Sequence, residues 1–208
     1  MAKAAFTDEV QDGVRIWHVY EESIRTEMYG TAVLAEEGWV LIDPVELVPE
    51  AMNFFKKRGP VASIVLTNAN HWRAASQFRE WFGASVLVHP EAVGELVETP
   101  DGVLSEGRLV GGSLSLVNLP GAGPGEVALF DPRGRLHVGD ALVNLDATGL
   151  AVLPQKYCQD RALLGVSLRK LLDLPLRFVT FAHGRPLAER VMERLEAAVS
   201  AEGEGRGD

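Results

Sequence analysis

Ile64-Val65-Leu66-Thr67-Asn68-Ala69-Asn70-His71-Trp72-Arg73 (IVLTNANHWR) reads as a strand that runs out into a polar loop. Ala62 to Leu66 is a short apolar run set off by Gly59-Pro60, the pattern of a buried strand. At Thr67 the apolar character stops, two asparagines and a histidine follow, and Trp72 to Phe82 takes up a helical pattern. The residues able to do chemistry therefore sit at a strand end.

Upstream, Val14 to Tyr20 alternates apolar and polar residues as a half-buried strand does. Thr31 to Ala35 and Trp39 to Ile42 flank a Glu36-Glu37-Gly38 turn, so this part is a meander that ends at Asp43-Pro44. Pro49 to Lys57 is helical, with Met52 and Phe55 on one face. Downstream come a strand at Ala84 to Val88 and a short helix opened by His89-Pro90-Glu91-Ala92. Further strands fall near 108–110, 114–119, 126–130 and 135–138, then a helix at 160–172 and a strand at 178–181. In a last helix over 187–199, Leu187, Val191, Leu195 and Val199 form one buried stripe. No linker divides the chain. The pattern predicts one α/β domain over residues 1–200 and a frayed tail at 201–208 (AEGEGRGD); two packed sheets with helices outside fit it, and pattern alone allows other α/β layouts.

Composition narrows the function classes. Across 208 residues, 47% are hydrophobic and 24% charged, which are globular proportions. A net charge of -9 opposes binding to a phosphate backbone, and no basic cluster exceeds Lys56-Lys57-Arg58, so nucleic acid is not expected as a partner. No apolar run approaches the roughly 18 residues of a membrane span, and the N-terminus lacks the features of a signal peptide, so no membrane partner and a cytoplasmic location are expected. The single cysteine, Cys158, excludes a disulfide or thiolate cluster within one chain.

Four segments, GWVLIDP (38–44), IVLTNANH (64–71), LPGAGPGEVAL (119–129) with Gly139-Asp140-Ala141-Leu142, and Phe181-Ala182-His183-Gly184, stand in the order and spacing of the metallo-β-lactamase superfamily, which this chain resembles. The resemblance implies a four-layer αβ/βα sandwich. It also implies a rim at which histidines and carboxylates from strand ends hold one or two divalent cations, usually zinc, that activate water and polarise the substrate. The family's T-H-x-H-x-D-H falls on Thr67 to Arg73. Read without gaps, its histidines and aspartate become Asn68, Asn70, Trp72 and Arg73, the histidine of its glycine-rich turn becomes Ala122, and only Asp140 and His183 survive. With the loop two residues shorter, Asn70-His71 takes the place of D-H, and His71, Asp140 and His183 make a two-histidine, one-carboxylate set. Either way the three histidines of the first metal position are missing.

The cleft candidates are therefore Asn68, Asn70, His71, Trp72, Arg73, Ala122, Asp140 and His183. In the ungapped register Trp72 or Arg73 fills the vacated metal space. In the shortened register His71 points at Asp140 and His183. The first implies a degenerate, metal-free binding or regulatory module, or a non-classical catalyst, with an unidentified small molecule as its partner. The second implies a hydrolase of esters, thioesters or phosphodiesters holding one zinc, manganese or iron. Both argue against a dinuclear zinc centre. Asp43 is read as a brace for the loop, Arg73 and Arg185 as solvated or anion-binding, Trp17, Trp39 and Trp81 as core, and His18, His89 and His137 as ordinary strand or cap residues.

Overall fold

Trp39 and Leu41 point one way and Val40 and Ile42 the other, as successive side chains of a strand must, and each pair joins a different apolar layer. This alternation explains the architecture. In the computed structural model, which describes residues 3–204, β1 (Asp8–Gln11), β2 (Val14–Glu21), β3 (Thr26–Ala35), β4 (Gly38–Ile42), β5 (Val61–Val65), β6 (Val86–Val88) and β7 (Gly102–Val103) form one sheet in sequence order. Its first half is an antiparallel meander. The β4–β5–β6–β7 half is parallel, which requires crossover segments, and α1 (Pro49–Arg58) and α2 (Ala75–Phe82) supply the first two.

A second sheet is built from β8 (Ser115–Asn118), β9 (Val127–Asp131) and β10 (Arg135–Val138), to which β13 (Phe178–Phe181) adds in parallel. β11 (Leu142–Leu145) and β12 (Gly149–Val152) make a separate hairpin. The helices α3 (Arg161–Leu168) and α4 (Val191–Glu204) close the second half.

Three apolar layers hold these parts together. Met52 and Phe55 of α1 and Phe78 of α2 pack on Trp17, Trp39, Leu41 and Ile64. Leu164 and Leu168 of α3 and Leu195 and Val199 of α4 pack on Leu136, Val138, Val179 and Phe181. Between the sheets, Val33, Val40, Ile42 and Val65 meet Leu114, Val127 and Leu129. The result is the expected order of helix, sheet, sheet, helix. Polar groups also enter the intersheet layer, where Arg135 and Asp131 form a buried ion pair and Arg133 adds a second contact to the same carboxylate.

Several boundaries differ from the sequence reading. Trp72 does not begin the second helix; a 3-10 turn at Ala69–His71 precedes it and α2 starts at Ala75. Leu187 lies outside α4 and bridges Val179, extending the sheet instead. The helix expected over 160–172 is α3 followed by a 3-10 turn at Arg169–Asp173. Of the strand expected at 108–110, only an isolated bridge from Val110 to Leu114 forms. α4 continues through Glu204, so the start of the expected tail is helical, and 205–208 lie outside the described residues. Among the described residues, no helix is long and apolar enough to cross a membrane.

Candidate metal centre

Each strand end delivers one side chain to the same rim, and each has a local reason to be there. β4 is followed by Asp43, whose backbone is left-handed (φ +48), a conformation aspartate tolerates better than most residues. Its carboxylate turns back to accept the Thr67 N–H at 2.8 Å and the Thr67 hydroxyl at 2.5 Å, which ties the end of β4 to the end of β5. Asp140 follows β10 through Gly139. A side chain at 139 would collide with Thr67 Oγ1 and with Glu126 Oε1, so only glycine lets the strands converge here. His183 follows β13, and its carbonyl accepts the N–H of Asn144 on β11 at 3.1 Å.

Asn68 accepts the Asn70 N–H through its side chain at 2.9 Å and so starts the 3-10 turn that turns His71 inward. Within the centre, His71 Nε2 lies 3.2 Å from Asp140 Oδ1, and His183 Nε2 lies 3.4 Å from the same oxygen. Ligand atoms of His71, Asp140 and His183 all fall within 4.8 Å of one another. Both rings are held from behind. His71 Nδ1 is 2.9 Å from Asp43 Oδ2 and 2.9 Å from Thr67 Oγ1, and His183 Nδ1 is 3.1 Å from the Glu27 carbonyl.

Electrostatics follow from this packing. Burial and the Arg73 charge oppose protonation of His71, yet the Asp43 and Asp140 carboxylates outweigh them and push it up to about 9. Burial works against ionisation of Asp140 too, but His71 and His183 hold it well below the usual carboxylate range. Burial and then the Asp140 charge push Glu126 up to about 8.

Not every sequence candidate joins the centre. Asn68 is fully buried, and its amide Nδ2 donates to Glu126 Oε2 at 2.7 Å and to Asp140 Oδ2 at 3.1 Å. An amide thus bridges two carboxyl groups. Asn70 is exposed, with its side chain near the 121–125 turn rather than beside the ligands. Trp72 does not fill a metal cavity; it packs in the first-half core and donates to Ser76 Oγ at 2.8 Å. Ala122 is buried in the second-half core, and its neighbour Gly123 is the turn residue that faces Asn68 and Asn70.

Arg73 does reach the centre. It donates to the carbonyls of Tyr29 at 3.0 Å and Asp43 at 3.3 Å, and its Nη2 lies 3.2 Å from His183 Nε2. The structure therefore combines the two registers that the sequence set against each other: His71 points at Asp140 as in the shorter loop, while Arg73 meets His183 as in the ungapped one. Arg185 sits outside and pairs with exposed Asp146 at 2.9 Å.

Two residues were missed as parts of the site. His137, read as an ordinary strand residue, is buried between the sheets with Nε2 3.4 Å from Asp43 Oδ2 and Nδ1 2.9 Å from Thr180 Oγ1. In the sequence Glu126 reads only as the start of a strand. Polar residues in otherwise apolar stretches, such as His137 in Leu136-His137-Val138, were the available signal.

With this geometry in place, the sequence profile of the metallo-β-lactamase superfamily matches residues 10–184, most of the chain. The chain belongs to the metallo-β-lactamase superfamily. Among curated proteins none matches it. Its fold is similar to that of DIM-1 metallo-β-lactamase, at 13% identity over 96% of this chain and 98% of that one, with a TM-score of 0.76. A metallo-β-lactamase from Pontibacter korlensis gives the same TM-score of 0.76 at 19% identity, covering 95% of this chain and 98% of that one. A metallo-β-lactamase family protein from Thermus thermophilus matches at 21% identity and TM-score 0.67, over 94% and 81% of the two chains. At such identities the likeness concerns the fold. Within that superfamily fold, this chain keeps a His-Asp-His group at the rim.

Proposed function

We propose that this protein is a hydrolase working with a single divalent cation held by His71, Asp140 and His183. The observation that carries the reading is the arrangement of the two imidazoles around one carboxylate. Bonds of about 2.0 to 2.2 Å in a tetrahedral site put neighbouring ligand atoms roughly 3.3 to 3.6 Å apart, and the separations from Asp140 Oδ1 are 3.2 and 3.4 Å. The rear contacts of both rings, one to a carboxylate and one to a backbone carbonyl, are those that orient metal-binding histidines, with Nδ1 on the rear partner and Nε2 turned toward Asp140.

A cation bound there supplies Lewis acidity toward a carbonyl or phosphoryl oxygen and an activated nucleophile at neutral pH. The chain's own residues do the rest. Asp43 orients His71, Glu27 orients His183, and Thr67 fixes the Asp43 carboxylate. The Asn68 bridge between Glu126 and Asp140 supports a count of one metal, because Asn68 offers that space hydrogen-bond donors in place of an imidazole lone pair. The substrate class consistent with this chemistry is an ester, thioester or phosphodiester, and the bound partner a small molecule.

The Arg73–His183 contact favours a second reading, a metal-free binding module, since a guanidinium then supplies the positive charge at the rim. Metal analysis separates the two. After dialysis, and with zinc, manganese and iron offered in turn, the full chain should retain one equivalent of metal, and His71→Ala should lose it. A wild-type chain with no bound metal, or with two, would overturn the proposal.

A further inference from the structure

We infer that Arg73 competes with the metal for His183, so that a cation binds only as the Arg73–His183 hydrogen bond opens; the inference rests on the single-metal reading above. The argument starts from His183. Its Nδ1 lies 3.1 Å from the Glu27 carbonyl, and a carbonyl only accepts, so Nδ1 donates there and Nε2 is the ring atom left for a metal. Arg73 Nη2 lies 3.2 Å from that nitrogen, and a guanidinium has only donors to offer. A guanidinium donor at 3.2 Å can be met only by the lone pair that a metal would need, and this contact is shorter than the 3.4 Å between Nε2 and the Asp140 carboxylate. One lone pair serves one partner.

Charge acts in the same direction as geometry. Arginine stays protonated in proteins, so a permanent cation stands beside the position a second cation would enter. The remaining contacts of Arg73 show how the exchange can take place. Its Nη1 is held by the carbonyls of Tyr29 and Asp43, neither of them a group of the proposed metal set. Those bonds can persist while the Nη2 bond is given up, so release needs a pivot of the head group and no change in the loop. Position 73 thus sets metal affinity without supplying a ligand.

The test is metal affinity. Dialysed wild-type chain and Arg73→Met, which keeps an unbranched side chain without charge or donors, are titrated with zinc and then manganese against a chromophoric chelator. Arg73→Met should bind zinc at least tenfold more tightly. Equal or weaker binding by a folded Arg73→Met, with wild type still binding one zinc, overturns this inference and leaves the single-metal reading standing. Failure of both proteins to bind overturns the single-metal reading and this inference with it. If Arg73→Met does not fold, the wild type decides: zinc added to the 15N-labelled chain should shift the Arg73 side-chain Nε–Hε resonance, and zinc binding that leaves it unmoved refutes the competition.

Discussion

Replacing Asp43 by alanine should be among the most damaging single changes outside the proposed ligands. The side chain is fully buried and accepts the Thr67 N–H at 2.8 Å and the Thr67 hydroxyl at 2.5 Å, with His71 Nδ1 at 2.9 Å and His137 Nε2 at 3.4 Å. Asp43→Ala leaves those donors without their acceptor and removes the main counter-charge behind His71. A hydrogen bond to a charged group is worth about 1.5–3 kcal/mol, and breaking a buried ion pair from one side costs about 3–5 kcal/mol. These terms overlap, because they share one carboxylate, so the expected loss is about 4 kcal/mol. With a urea dependence of about 2 kcal/mol per molar, the unfolding midpoint should fall by about 2 M. Asp146→Ala is the control. It breaks an ion pair to Arg185 in which both side chains are about 70% exposed, and should leave the midpoint unmoved. A midpoint shift below about 0.5 M in Asp43→Ala, with unchanged denaturant slope, would refute the view that this network ties the strand ends together.

Acid stability should report on Asp131. Burial works against its ionisation, but hydrogen bonds from Arg133 and Arg135 outweigh that and hold its carboxyl below its ordinary value of 3.8. A depressed pKa means that the stability it contributes is complete above 3.8 and lost as pH falls through the lower folded value. Thermal melts between about pH 5 and pH 2 should therefore fall less steeply for Asp131→Asn than for the wild type, and parallel profiles would count against the pair. Gly184 is left-handed (φ +100), and a Cβ there would collide with the carbonyl oxygen of Asn144. Gly184→Ala should cost about 3 kcal/mol or more, a fall in melting temperature of about 6–12 °C. Gly83→Ala, at φ +66 with nothing within 4 Å, should cost only about 1 kcal/mol, and equal losses at the two positions would refute the steric account.

The α/β alternation was legible because burial on both faces of a strand writes a local pattern, as in Trp39-Val40-Leu41-Ile42, whereas the helix-sheet-sheet-helix order was implied only by the resemblance of four segments to a known family. Elements without such a pattern escaped. β1 is Asp-Glu-Val-Gln with mostly exposed side chains, and the two residues of β7 carry no periodicity at all. The 3-10 turn at Ala69–His71 also escaped, and with it the reason that His71 and Arg73 can both reach the rim.

The sequence by itself determined which side chains stand at strand ends, among them Asn68, Asn70, His71, Asp140 and His183. Those are statements about residue identity and short-range spacing, which a chain carries without being folded. Only the tertiary structure decided that Asn68 bridges Glu126 and Asp140, that Asp43 draws His137 toward the rim, and that Arg73 holds His183. The partners in these contacts lie 58, 72, 94 and 110 residues apart. Hydrogen bonds act over about 3 Å, so whether such residues meet depends on how the two sheets are packed, and no local pattern records it.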